Sequence, residues 1–110
     1  MFSPELKKGS VELLVLTAIR DEPRHGYEIG KLIEMRSGGR LQFNPSTLYP
    51  VLYRMENRGW IKGVWIEEPG ERRRCHYHLT AEGQKVLAAQ VARWQEFADA
   101  VDMAIGLNRA

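Results

Sequence analysis

Between Trp60 and Thr80 the hydrophobic pattern of this chain repeats every second residue, while on both sides it repeats every three to four. A β segment set inside helical sequence leaves few folds open. Ile61-Lys62-Gly63-Val64-Trp65-Ile66 is rich in β-branched and aromatic residues, Glu67-Glu68-Pro69-Gly70-Glu71 is turn material, and Arg72 to Leu79 alternates again. Two such runs around a Pro-Gly turn predict a β-hairpin over residues 61–79. On its second strand Arg73, Cys75, Tyr77 and Leu79 share the inward face, and Arg72, Arg74, His76 and His78 share the outward one.

The sequence before the hairpin predicts three helices. Residues 10–20 are apolar on several sides, with Val11, Leu14, Val15 and Ala18 at helical spacing, so this helix belongs in a core. Asp21-Glu22-Pro23 stops it. A second helix runs from about His25-Gly26 to Arg36, with Tyr27, Ile29, Leu32, Ile33 and Met35 as its inner face. Ser37-Gly38-Gly39 is a turn, and Leu41-Gln42-Phe43 reads as a very short strand. Asn44-Pro45 opens the third helix: Asn caps well, and Pro suits a first helical position, where no N–H is needed. That helix runs to about Arg58, and Gly59 fits its C-terminal cap. Leu48, Val51, Leu52 and Met55 fall on one side. Ser46, Pro50, Tyr53, Arg54 and Asn57 fall on the other, with Tyr49 at its flank. Pro50 lies inside the helix, where a missing N–H predicts a kink.

Thr80 caps a last helix over residues 81–106, which at 1.5 Å per residue is about 39 Å long. Leu87, Val91, Trp94, Ala98, Val101 and Ile105 alternate in steps of four and three, an a/d seam of the kind two helices share. A small core cannot cover a seam that long, so the expectation is self-association into a homodimer.

With 110 residues the chain makes one compact domain. Within it, residues 1–80 form one region, with an arm over 1–9 and the hairpin over 61–79, and residues 81–110 form the helix expected to dimerise. Its 44% hydrophobic and 27% charged residues fit an ordinary soluble fold and exclude collagen-like or wholly disordered chains. No apolar run approaches the roughly 20 residues of a membrane span, and no signal-peptide pattern is visible. A single cysteine, Cys75, rules out an internal disulfide; these features together fit a reducing cytoplasm. There is no Gly-rich phosphate loop, no paired carboxylates in an apolar setting and no nucleophile with its base, so no enzyme is expected. His76 and His78 share a strand face, but Cys75 points the other way, so neither a metal nor another cofactor is expected.

Helix, helix, helix, basic hairpin, long helix is the order of an α+β, mainly α fold: a winged helix-turn-helix with a long C-terminal dimerisation helix. In such a fold the third helix enters the major groove of double-stranded DNA. Ser46, Thr47, Tyr49, Tyr53, Arg54 and Asn57 are its candidate contacts, and Arg72, Arg73 and Arg74 are those of the wing. The net charge of +2 carries no such message by itself; where the basic side chains point does. Two other readings stay open: a winged-helix protein-interaction module, and a small-molecule-binding dimer that does not touch DNA.

His25-Gly26-Tyr27-Glu28-Ile29, Thr47-Leu48-Tyr49-Pro50, Met55-Glu56, Gly59-Trp60-Ile61, Trp65, Arg72-Arg73-Arg74, Tyr77-His78-Leu79-Thr80 and Glu82-Gly83 together resemble the PadR family of bacterial transcriptional regulators, in its short form with one C-terminal helix. The resemblance extends from about Lys8 to Ile105. Cys75 and His76 depart from it, standing where the family has a basic residue and an aromatic one. It implies a homodimer built from the first and last helices, acting as a repressor of nearby genes. It also implies that some members release DNA on binding planar hydrophobic or phenolic compounds near the dimer centre. Trp94, Phe97 and Leu14 are the candidate ligand contacts under that reading.

Overall fold

The computed structural model describes residues 9–107; the arm expected over residues 1–9 thus lies, but for Gly9, outside them. Among the described residues the helices are α1 (Val11–Ala18), α2 (Gly26–Arg36), α3 (Pro45–Asn57) and α4 (Ala81–Ile105). The strands are β1 (Arg24–His25), β2 (Ile61–Ile66) and β3 (Arg74–Leu79). They form one antiparallel sheet in the order β1-β3-β2. Ile61 pairs with Leu79 at the base of the hairpin and Ile66 with Arg74 near its tip, while Arg24 and His25 pair with Tyr77 and His76.

Local chemistry sets the element ends. Asn44 caps α3 through its side-chain oxygen, which accepts from the Thr47 N–H at 3.1 Å. Gly59, at φ +80°, turns the chain out of that helix. Thr80 Oγ1 accepts from the Gly83 N–H at 3.0 Å and starts α4 directly at the end of β3. Helix α1 stops at Ala18, two residues earlier than expected, and the Arg24 guanidinium donates to the Ala18 carbonyl at 2.8 Å. Helix α3 continues through Pro50. The Pro45 and Pro50 rings are both exposed, so the Ser46 carbonyl that loses its usual donor lies beside solvent.

The core forms where α1, α2, α3 and the base of the hairpin meet. Val15, Leu16, Ile29, Leu52 and Met55 are fully buried, and Ile61, Tyr77 and Leu87 close it from the sheet and from α4. Each such aliphatic side chain contributes about 1.5–3 kcal/mol by leaving water. The wing is tied to this body through Gly63, whose N–H donates to Glu56 Oε2 of α3 at 2.9 Å. A Cβ at Gly63 would stand 2.6 Å from Cys75 Sγ, so a glycine there lets the thiol pack across the hairpin.

Three expectations are corrected. Residues 41–43 form no strand: the Leu41 N–H is taken by the Ser37 hydroxyl at 2.9 Å instead of a partner strand. The third strand of the sheet is β1, just before α2, where two residues are too few to show any period. Tyr27 and Met35 face solvent, at 65% and 69% exposure, because Ile29 and Ile33 already fill the inner side of α2. Finally, β3 begins at Arg74, which leaves Arg72 and Arg73 in the loop at the hairpin tip.

Candidate nucleic-acid interface

Helix α3 divides its two faces sharply. Leu48, Val51, Leu52 and Met55 are buried, whereas Ser46, Thr47, Tyr49, Tyr53, Arg54 and Asn57 are all exposed. Tyr53, at 68% exposure, is more open than Tyr49, at 50%. The Ser46 and Thr47 hydroxyls lie 2.6 and 3.1 Å from Asn44 Oδ1 and donate to it, which leaves their oxygens as acceptors at the start of the helix. Tyr49 has a second role. It lies over Gly26, where a Cβ would meet its hydroxyl at 2.8 Å, so the ring wedges α3 against the start of α2.

The start of α2 is a reciprocal capping box. The Glu28 N–H donates to His25 Nδ1 at 3.3 Å, and the His25 N–H donates to Glu28 Oε1 at 3.1 Å. A His-Gly-x-Glu sequence thus has a structural purpose here: cap, close approach, return hydrogen bond. His25 Nε2 also lies 2.7 Å from Arg74 Nη1 of the wing, and its ring meets His76 edge-on. Burial pulls the His25 pKa below its ordinary value; Arg74 and His76 act in the same direction and Glu28 opposes them. Burial likewise pushes the Cys75 thiol up, and the thiol faces inward beside Tyr77.

At the wing, Arg72, Arg73 and Arg74 are exposed. The Arg73 guanidinium sits 4.8 Å over the ring of Trp65, which is itself 58% exposed. The indole therefore holds one of the two tip arginines in place. Neither Trp65 nor Tyr27 stood out in the sequence as a surface residue, because aromatic residues inside an apolar pattern read as core.

Past Gln90, α4 is exposed along most of its length, though Asp102 is buried. Of the seam residues Leu87 is buried and Ala98 half-buried, while Val91, Trp94, Val101 and Ile105 are exposed. Trp94 and Phe97, at 51% and 63% exposure, lie 6.5 Å apart with their rings tilted. Leu14 is part-buried against the core on α1. A cleft of about 590 Å³ lies elsewhere, between the start of α1 and α3; it is lined by Val11, Glu12, Phe43, Thr47 and Arg54 among others, and by none of the three expected ligand contacts. Among the described residues no three His, Cys, Asp or Glu side chains are grouped to hold a metal, and no helix is long and apolar enough to cross a membrane.

A helix pair that presents a polar face of its second member, followed by an antiparallel hairpin whose second strand pairs back to the short strand just before that helix pair, defines a winged helix-turn-helix protein. The chain belongs to the PadR-like family of transcriptional regulators, whose sequence pattern matches residues 15–89. A transcriptional regulator from Clostridium thermocellum is 27% identical with a TM-score of 0.85, over 94% of this chain and 97% of that one. A PadR family transcriptional regulator from Eggerthella lenta is 32% identical with a TM-score of 0.82, over 94% and 88%. The transcriptional regulator HosA of Escherichia coli is 39% identical over 88 residues, which are 80% of this chain and 57% of HosA. Proteins of this family are transcriptional regulators rather than enzymes.

Proposed function

We propose that the chain is a sequence-specific, double-stranded DNA-binding repressor that works as a homodimer and lets go of its operator when a small effector binds. The observation that carries this reading is the exposed polar face of α3, opposite a buried one, in a fold that also presents an exposed, arginine-tipped wing. Tyr53, Arg54 and Asn57, with the Ser46 and Thr47 oxygens, are the groups for base edges and nearby phosphates. Arg72 and Arg73 reach phosphate or the minor groove, with Arg74 behind them at the strand start.

The homodimer follows from α4. Val91, Trp94, Phe97, Val101 and Ile105 expose more contiguous apolar surface than a helix leaves in water without a partner. Residues 81–110 thus serve dimerisation, and residues 1–80 serve DNA. The effector is a planar hydrophobic or phenolic compound held at the dimer centre by Trp94 and Phe97, with Leu14 of α1 behind them. It acts only if it prefers a dimer whose two α3 helices are wrongly spaced for DNA. Footprinting on the DNA flanking the chain's own gene tests the reading, and binding that ignores salt from 50 to 200 mM would refute it.

A further inference from the structure

The outward edge of α2 is where the sequence pattern expected core and the structure has donors. Tyr27 stands in the first turn of the helix; the Lys31 ammonium lies 5.6 Å over its ring, and the ring stacks at 6.4 Å on His25. His25 in turn touches Arg74 at the wing. Lys31, Tyr27, His25 and Arg74 form an unbroken row from the flank of α3 to the tip end of the hairpin. A cleft of about 180 Å³ separates the α2 end of this row from α3, with Tyr27, Lys31 and Glu34 on one wall and Pro45 and Tyr49 on the other. Gly26 and Gly30 set how close the walls come, since a Cβ would meet Tyr49 at one and Leu48 Cδ1, at 3.2 Å, at the other.

We infer that Tyr27 and Lys31 hold one backbone phosphate of the DNA strand that passes from α3 to the wing. The inference rests on the DNA-binding reading above. A strand engaged by both α3 and the wing has to cross this row, as the first helix of such a motif crosses the backbone. A phosphate offers only acceptors, and both side chains offer donors: the phenol O–H and the ammonium. Lys31 makes no ion pair among the described residues, so its charge is not already neutralised. Its position over the Tyr27 ring fixes the ammonium in advance, which lowers the ordering cost of the contact. Glu28, three residues before Lys31 on the same helix, is engaged in the helix cap. Glu34 remains as the opposing charge, and it places the phosphate at the Tyr27 end of the cleft.

The test uses the full chain and two labelled duplexes, one selected by the wild-type protein from a random pool and one of scrambled sequence. Affinities are measured by fluorescence anisotropy across a salt series. Lys31→Ala is expected to weaken both duplexes by the same factor, roughly tenfold at low salt. It should also lower the salt slope by about 0.9 per subunit. Tyr27→Phe keeps the ring under Lys31 and should weaken both duplexes severalfold at an unchanged slope. Glu34→Gln should tighten both. Thermal melts equal to wild type establish that the exposed substitutions leave the fold intact. Wild-type affinity and slope in Lys31→Ala, measured beside an Arg72→Ala variant that does lose slope, would overturn the inference and leave the DNA reading standing. A loss confined to the selected duplex would overturn it too, by making these residues base readers. A wild-type protein that binds no duplex would overturn both.

Discussion

Replacing Gly83 with alanine sets two known effects against each other. Within a helix, Gly→Ala gains up to about 1 kcal/mol from the lower backbone entropy of alanine. At Gly83, however, the new Cβ would overlap the Trp60 carbonyl oxygen and stand 2.7 Å from Leu79 Cδ1. The leucine can turn away, but the carbonyl cannot do so freely. It accepts from the Thr80 N–H at 3.1 Å and from the Thr80 hydroxyl at 2.9 Å, and it anchors the start of β2. Forcing it aside costs about 1–3 kcal/mol of overpacking. The weakening of those two hydrogen bonds adds about 1 kcal/mol. The net expectation is a loss of about 2 kcal/mol, or a Tm lower by roughly 8 °C in a chain of this size. The measurement is urea and thermal unfolding at one fixed protein concentration, because the proposed dimer would make both depend on it. Gly30→Ala is the internal control. Its Cβ would press only on the flexible end of Leu48, with the Phe43 carbonyl at an ordinary 3.8 Å, so it should be neutral or slightly stabilising. A Gly83→Ala protein as stable as wild type would show that the junction between hairpin and α4 has slack that its packing denies.

Changing Arg72, Arg73 and Arg74 together to alanine should weaken binding to every duplex and reduce the salt slope by about 1.8 per subunit, 0.9 for each tip arginine; an unchanged slope would remove the wing from the contact. Trp94→Ala should abolish quenching of the α4 indole by planar aromatics, and equal affinity of a still-dimeric variant for the same compounds would make Trp94 a packing residue only. Sedimentation should give a dimer at tens of micromolar, and a monomer there would refute the reading of α4. The lowered pKa of His25 means that the fold favours the neutral ring. Stability from this residue is therefore full above the ordinary value of 6.5 and is lost as pH falls through the lower folded value. Between pH 7.5 and 5, wild type should lose more stability than His25→Asn, whose amide oxygen keeps the cap at every pH; parallel curves would assign the loss to other groups.

How much could be read beforehand follows from how each signal arises. Asn44-Pro45, Gly59 and Thr80 announce element ends because capping depends on one or two residues. The hairpin is legible because six residues suffice for a period of 2. Strand β1 is not, since it exists only by pairing with Tyr77 and His76, a tertiary fact. Tyr27 misleads for another reason: periodicity says which face of a helix is apolar, but not which apolar residues the partners have room for. The arginines of the wing could be named from sequence. That Trp65 holds Arg73, and His25 meets Arg74, depends on register across strands.

Thr80 ends the wing and caps α4 in the same residue, and Gly83 is pressed against the carbonyl that opens the other wing strand. Wing and apolar strip are therefore locked in phase. One residue inserted after Gln90 would turn Trp94 and everything beyond it by about 100° around the helix axis and advance it by about 1.5 Å. In the proposed dimer the strip would then face away from its mate, while every residue of the surface proposed to face DNA stayed where it was. A four-residue insertion, close to one full turn, would restore the direction and lift the strip outward by about 6 Å. Chains of this architecture can thus lengthen α4 only in whole turns, and each added turn resets how far apart two wings stand.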